Sequence, residues 1–263
     1  MATPRRLVFG EVAELYDRHR PSYPSVLIDD LIEQAGVSAS ARVLEVGAGT
    51  GKATAMLAAR GIKVVAIEPS AGMAEIAARR LAATGLVEIV RSDFERWDRE
   101  GARFPLIFSA QAWHWLDPAT RFPLARAALA PQGLLAAFWN RPVWVESALR
   151  AALRDAYEHV VPELPPDGPL HPANSWTADT DEDWETEELT AAGFAAASRA
   201  LYPWSVEYSS AEYRGLLATL SEIRLLPEAS RDRLLDAVRT AVEAHGGVIE
   251  LPMTTILHTA RAN

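Results

Sequence analysis

From Arg42 onward the chain repeats one pattern: a short run of apolar residues, a turn, then an alanine-rich stretch whose apolar positions recur at helical spacing. Apolar runs of this length suit strands buried on both faces, and the stretches between them suit amphipathic helices, so the pattern predicts a doubly wound α/β sheet. Strands are predicted over Arg42–Gly47, Lys63–Glu68, Val87–Ser92, Pro105–Ala110 and Leu134–Trp139, with helices over Lys52–Ala59, Ala71–Ala83 and Pro118–Leu129. Gly61, Gly85 and Gly133 each follow a predicted helix, where a left-handed cap residue is wanted.

The regularity breaks after Asn140. ESALRAALRDAYEHV predicts a helix, and PELPPDGPLHPANSW, around Pro165, predicts a Pro/Gly-rich loop. Helix resumes near Trp184 and stops at Gly193. Strands over Ala200–Tyr208 and Thr254–Ala260 bracket a stretch in which Leu216, Leu217, Leu220, Ile223 and then Leu234, Leu235, Val238, Val242 keep helical spacing, which predicts a helical pair inserted between the last two strands. The segment up to Gly36 reads as helical, interrupted by Pro21 and Pro24. The acidic run DTDEDWETEE reads as a solvated helix start, where carboxylates suit the macrodipole.

Composition narrows the function classes. The 263 residues are 49% hydrophobic and 23% charged, which suits a soluble globular chain with a sizeable core. Formal net charge is −9 and no block of lysines and arginines stands out, which disfavours a nucleic-acid partner. Cysteine is absent, which excludes disulfides, thiolate metal sites and a cysteine nucleophile. The N-terminal arginines are not followed by an apolar h-region, and no apolar segment reaches membrane-spanning length, so neither export nor membrane insertion is predicted and a cytoplasmic location is expected.

The first strand runs into VLEVGAGTGKAT, a glycine turn that opens a helix, and such a turn lets a ligand approach the backbone while helix N–H groups point at it. Its spacing, Gly47-Ala48-Gly49-Thr50-Gly51, is not the G-x-G-x-x-G of dinucleotide enzymes, and the P-loop frame is not met. Glu68, followed by Pro69 at the end of the second strand, places a carboxylate where both hydroxyls of a ribose can donate to it. After the third strand, Asp93 offers a carboxylate to an exocyclic adenine amine, and Phe94 an aromatic cover for the base.

VLEVGAGTG, Glu68, Asp93 and the QAWHW stretch together resemble class I S-adenosylmethionine-dependent methyltransferases. VAELYDRHRPSYP is similar to the lead-in of the small-molecule branch that includes trans-aconitate-type enzymes. The resemblance covers Phe9 to Asn140 and implies a Rossmann-like seven-stranded sheet with the last strand antiparallel, in agreement with the runs above. A single methyltransferase domain over 1–263 is expected: an N-terminal helical cap (1–38), a cofactor-binding core (40–140), a helix and Pro-rich loop (141–199), a helical lid insertion (209–247) and a final strand (248–263). S-adenosylmethionine is the implied cofactor. Glu45, Gly47, Ala48, Gly49 and Gly51 would line its methionine side, Glu68 and Pro69 its ribose, and Asp93 and Phe94 its adenine, with Ala110 and Gln111 beside the methionine moiety. Tyr16, Arg20 and Tyr23 are candidates to close over it, or else a packed helix and turn with an exposed cation.

A methyl sulfonium is already activated, so the protein's main task is alignment, and a general base is needed only for an acceptor that arrives protonated. His114 is the candidate base, because it follows the fourth strand where substrate meets cofactor; the alternative is an aromatic wall. Trp113, Trp115, Trp139 and Trp144 fall at or past the ends of the fourth and fifth strands, where open α/β sheets hold ligands, and favour a small, largely apolar or aromatic acceptor such as a specialised metabolite. The other histidines, His19, His159, His171, His245 and His258, make no metal-ligand pair, and no metal is predicted. A nucleic-acid methyltransferase, an NAD-dependent oxidoreductase and a protein that binds the cofactor without transferring its methyl remain the alternatives; the oligomeric state is not legible.

Overall fold

A computed structural model describes residues 13–39, 41–162, 170, 184, 186–195 and 197–263. The Pro-rich loop around Pro165, His171, Phe9 and most of the acidic run lie outside them. The chain divides into two compact units. A sheet unit takes in the described residues of Ser22–Asn140, Thr180–Tyr202 and Thr255–Asn263, and a helical unit takes in those of Met1–Pro21, Arg141–Asp179 and Pro203–Thr254.

The strands are β1 (Arg42–Val46), β2 (Lys63–Ile67), β3 (Val87–Val90), β4 (Phe104–Ala110), β5 (Leu129–Pro142), β6 (Ser198–Ser209) and β7 (Val248–Arg261). They form one seven-stranded sheet in the order β3-β2-β1-β4-β5-β7-β6, with β1 parallel to β2 and β4, β5 parallel to β4, and the last strand antiparallel. Helices α2 (Ser25–Ala35), α3 (Lys52–Ala58), α4 (Ala71–Leu81), α5 (Arg121–Ala128) and α7 (Thr186–Ala191) belong to the sheet unit. Along β1 and β2 successive side chains face opposite layers: Leu44, Val46, Val65 and Ile67 pack with Phe122 and Ala125 of α5 and Leu189 of α7, whereas Val43, Val64 and Ala66 pack with Leu27 and Leu31 of α2 and Leu57 of α3. This two-sided burial is why the strands read as unbroken apolar runs.

Three expectations need correction. β5 begins five residues before the predicted Leu134, because α5 stops at Ala128 and Leu129 is already extended. The left-handed residue there is Gln132 (φ 60°), not Gly133; Gly133 is required for close approach, since a Cβ on it would lie 2.9 Å from the Ala130 carbonyl and 3.1 Å from that of Phe104. The inserted helical pair is three helices, α8 (Ser210–Leu217), α9 (Ser221–Arg224) and α10 (Glu228–Ala244). The first breaks where Thr219 turns its hydroxyl onto the Leu216 carbonyl (2.6 Å) and Leu220 becomes extended.

With α1 (Ala13–His19) and α6 (Ala148–Val160), these helices bury Leu153, Tyr157, Tyr213, Leu217, Leu234 and Val238 as the core of the helical unit. α1 meets α8 at Gly215, where a Cβ would come within 2.5 Å of the His19 ring. Among the described residues no helix is long and apolar enough to cross a membrane.

Candidate functional site

In the sheet order, strands run to one side of β1 and then resume on the other with β4, so the loops after β1 and β4 part at a topological switch point, where open α/β sheets hold their ligands. The loop after β1 is the glycine turn. The Gly47 and Ala48 N–H groups donate to the Ile67 carbonyl (2.9 and 3.0 Å), which ties the turn to the end of β2. Gly47 stands at φ 73°, and a Cβ on it would lie 2.4 Å from that of Ala112 in the loop after β4, so only glycine lets the two loops close. Gly49, at φ 58°, has nothing within 4 Å of where its Cβ would be, which leaves its backbone open to a ligand. The packing explains one glycine and the opening explains the other.

The end of each of the first three strands supplies a carboxylate. Glu68, buried, accepts from the Gly49 N–H through one oxygen and from the Ser70 N–H through the other, both at 2.8 Å, so backbone fixes its plane. Burial raises its pKa above the usual carboxylate range, the two N–H groups oppose the rise, and the charge of Asp93 adds to it. Glu45 of β1 is 1% exposed; the Thr54 hydroxyl on α3 donates to one oxygen (2.5 Å) and the other has no partner. Burial pushes its pKa up to about 8, against the pull of Thr54 and with the push of Glu68. Asp93, half-buried, opens the single turn Phe94–Arg96.

The loop after β4 completes the site. Ala110 ends β4, and Gln111 takes φ 62°, uncommon for a residue with a side chain, while its N–H bonds to the Phe138 carbonyl (2.9 Å). His114 is exposed, and its Nδ1 accepts a hydrogen bond from the Trp139 indole at 3.0 Å. Its ring lies 4.6 Å from that of the half-buried Trp115.

The other expected residues fall elsewhere. Phe94, Trp113 and Trp139 are buried in the apolar core of the sheet unit, and Pro69 is half-buried beside Glu68. Tyr23 packs edge-on against Phe138, with ring centres 4.9 Å apart. Tyr16, Arg20 and Trp144 belong to the helical unit: Arg20 donates to the Thr219 hydroxyl (2.8 Å) and carbonyl (3.1 Å) over the Tyr16 ring, and Trp144 packs against Tyr213. Thr54 and Ser70 were not anticipated. A hydroxyl two residues into the helix and another two residues past Glu68 were the available signals. Among the described residues no group of histidines and carboxylates is placed to hold a metal.

Residues 43–133 match the family model described as "Methyltransferase domain". An uncharacterised methyltransferase of Mycobacterium tuberculosis is 39% identical over 138 residues, 51% of this chain and 52% of that protein. Trans-aconitate 2-methyltransferase of Paracidovorax citrulli is 32% identical over 124 residues, 46% of this chain and 44% of that protein. The chain thus spans about half the length of the curated relatives it matches. A solved structure from Anaeromyxobacter dehalogenans, given the provisional description of a type II methyltransferase, is alike in fold over 93% of this chain and 97% of its own, with a TM-score of 0.61 and 21% identity.

Proposed function

We propose, on the footing that the chain belongs by its segment 43–133 to the class I S-adenosylmethionine-dependent methyltransferases, that the protein transfers a methyl group to an atom of a small, largely apolar or aromatic molecule. The observation that carries this reading is the set of three carboxylates, Glu45, Glu68 and Asp93, gathered around the glycine turn, with the charge of Glu68 felt at Glu45 and that of Asp93 felt at Glu68. A dinucleotide would bring a doubly charged pyrophosphate beside acids whose ionisation burial and neighbouring charge already oppose. A sulfonium nucleoside brings positive charge to the same place.

In this reading Glu68 receives the ribose hydroxyls on the oxygen lone pairs that Gly49 and Ser70 leave, and Asp93 receives the adenine amine. The unpartnered Glu45 oxygen and the open Gly49 face the methionine end, and Gln111 closes that side. The bound cofactor supplies an activated methyl whose leaving group is a neutral thioether. What the chain's own residues supply is alignment, which is worth on the order of 7–11 kcal/mol when the reacting atoms are held in line. A cytoplasmic location suits the cysteine-free composition, and the tryptophans near the ends of the fourth and fifth strands favour a specialised metabolite as acceptor.

Thermal shift with S-adenosylhomocysteine, S-adenosylmethionine and NAD(H) tests the reading. A ligand at about 100 times its Kd adds roughly 2.7 kcal/mol of stability. Stabilisation by the two sulfur nucleosides alone is expected; stabilisation by NAD(H) alone would send the search to redox substrates. A cofactor that binds but never yields S-adenosylhomocysteine with any acceptor would mark a binding protein instead.

A further inference from the structure

Glu45 is a carboxyl group shut away from water with a single donor. It is 1% exposed on β1, where Ala66 of β2 and Phe108 of β4 stand opposite it in register. The Thr54 hydroxyl of α3 donates to one of its oxygens at 2.5 Å, and the other oxygen has no partner. Among the described residues no lysine or arginine pairs with it, Lys52 at the start of α3 included. The charge that reaches it is that of Glu68, just past β2, which feels Asp93 in turn. Glu68 has a backbone N–H on each oxygen; Glu45 has none. A buried carboxylate with one hydroxyl donor and a second acid as its neighbour is costly to ionise, so Glu45, its pKa raised to about 8, holds its proton at neutral pH. An arriving positive charge reverses that balance.

We propose that Glu45 senses charge in the cofactor site, giving up its proton when a ligand's ammonium group arrives, and that Thr54 is the positioning residue that holds one of its oxygens so that the other meets the cation. The inference rests on the methyltransferase reading above, which sets the amino-acid end of the cofactor at Glu45 and Gly49. The carboxyl O–H bond breaks, its electron pair stays on the oxygen, and the proton passes to the buffer; nothing is oxidised or reduced. The ammonium keeps its own protons and pairs with the new carboxylate. Thr54 has one hydroxyl proton to give, and its bond favours the carboxylate over the acid, which eases the loss of the proton. A nucleoside without an ammonium leaves Glu45 protonated. The site therefore prefers the cationic nucleoside, and the preference grows as pH rises toward 8.

The first measurement uses the unliganded full-length chain. With glutamate carboxyl groups labelled with ¹³C, the signal lost in Glu45→Gln should titrate near pH 8 in the native chain, higher in Thr54→Val, and as in the native chain in Thr54→Ser. A midpoint in the ordinary carboxylate range, or a Thr54→Val midpoint equal to the native one, overturns the proposal. Titration calorimetry at pH 7 in buffers of different ionisation enthalpy then counts protons. S-adenosylhomocysteine should release close to one proton from the native chain and clearly less from Glu45→Gln. 5′-Methylthioadenosine, which keeps the nucleoside and the thioether but lacks the ammonium, should release clearly less from the native chain. The native affinity for S-adenosylhomocysteine should rise close to tenfold from about pH 6 to 7, against less than about threefold in Glu45→Gln. Equal proton release by the two ligands, or by the native chain and Glu45→Gln, also overturns the proposal and leaves the methyltransferase reading standing. Failure of S-adenosylhomocysteine to bind strikes that reading and the sensing role with it, a result told apart by the absence of any binding heat.

Discussion

Two buried acids at strand ends of the sheet unit and two buried phenols of the helical unit fare differently. At the strand ends of the sheet unit Glu68 has a backbone N–H on each oxygen, and Glu45 has Thr54 on one. In the helical unit the hydroxyls of Tyr157 and Tyr208 are buried with no hydrogen-bond partner, and burial raises the pKa of Tyr157 well above the ordinary phenol value and that of Tyr208 to about 12. Strand ends and the glycine turn fix where backbone N–H groups point, so an acid at the right position meets its partners as a consequence of the fold. Phenols presented from helices and strands around an apolar core have no such ladder to complete. The partners of Glu68 are prescribed by backbone, and the polarity of the helical core is left to the choice of side chain.

The contrast breaks most visibly at Glu68. Glu68→Ala removes the acceptor proposed for two ribose hydroxyls, each charge-assisted bond being worth roughly 1.5–3 kcal/mol, so S-adenosylhomocysteine should bind at least about 100-fold more weakly by titration calorimetry. Affinity within threefold of native would end the ribose role. The next effect is on stability. Gly47→Ala forces a side chain into a left-handed backbone and within 2.4 Å of the Ala112 Cβ, which should cost about 2–4 kcal/mol in urea unfolding. Gly49→Ala meets the same conformational cost without the clash and should lose about half as much.

The strand-end acids were legible because a strand's last residues follow directly from its apolar run, and Glu45, Glu68 and Asp93 need no knowledge of packing to be placed. Gly133 was misread because a glycine after a helix looks the same whether it supplies a left-handed cap or room for a neighbouring carbonyl. Tryptophans at or past the predicted strand ends were expected to wall a ligand, but residue type does not say which way a ring turns, and Trp113, Trp139 and Trp144 turn into cores. The partner of His114 stands 25 residues away on an adjacent parallel strand, and the hydroxyl on Glu45 nine residues away on a helix. Such pairings depend on register, which the apolar pattern does not state.

Glu45 sharpens the contrast through pH. Its folded pKa is raised to about 8 from an ordinary 4.5, so between those values the folded chain binds more protons than the unfolded one, and the contribution of Glu45 to stability, full below about pH 4.5, is lost as pH rises through 8. Glu68, also raised, acts with the same sign. Melting temperatures should fall between pH 5 and 8, and Glu45→Gln should flatten that slope. A slope unchanged in Glu45→Gln would mean that its carboxyl ionises as an ordinary one. Thr54→Val strips the one hydroxyl from Glu45 and should cost about 1–3 kcal/mol, more above pH 8, where the acid is ionised, than at neutral pH and below, where the folded chain holds its proton.

The smallest expected effects compare one chemical change in both units. In the sheet unit the Tyr202 hydroxyl donates to Asp30 at 2.9 Å, so Tyr202→Phe removes a bond to a charged group and should lower stability by about 1 kcal/mol. In the helical unit Tyr157→Phe removes a hydroxyl that is buried and unpartnered. The folded state then sheds a group held away from water without compensation, while the unfolded chain loses only a solvated hydroxyl, so stability should rise by up to about 1 kcal/mol, a gain of roughly 2–4 °C in melting temperature for a chain of this size. Paired calorimetric melts of the two variants read the difference in sign directly. If Tyr157→Phe proves as costly as Tyr202→Phe, the phenol has a solution partner such as a bound water.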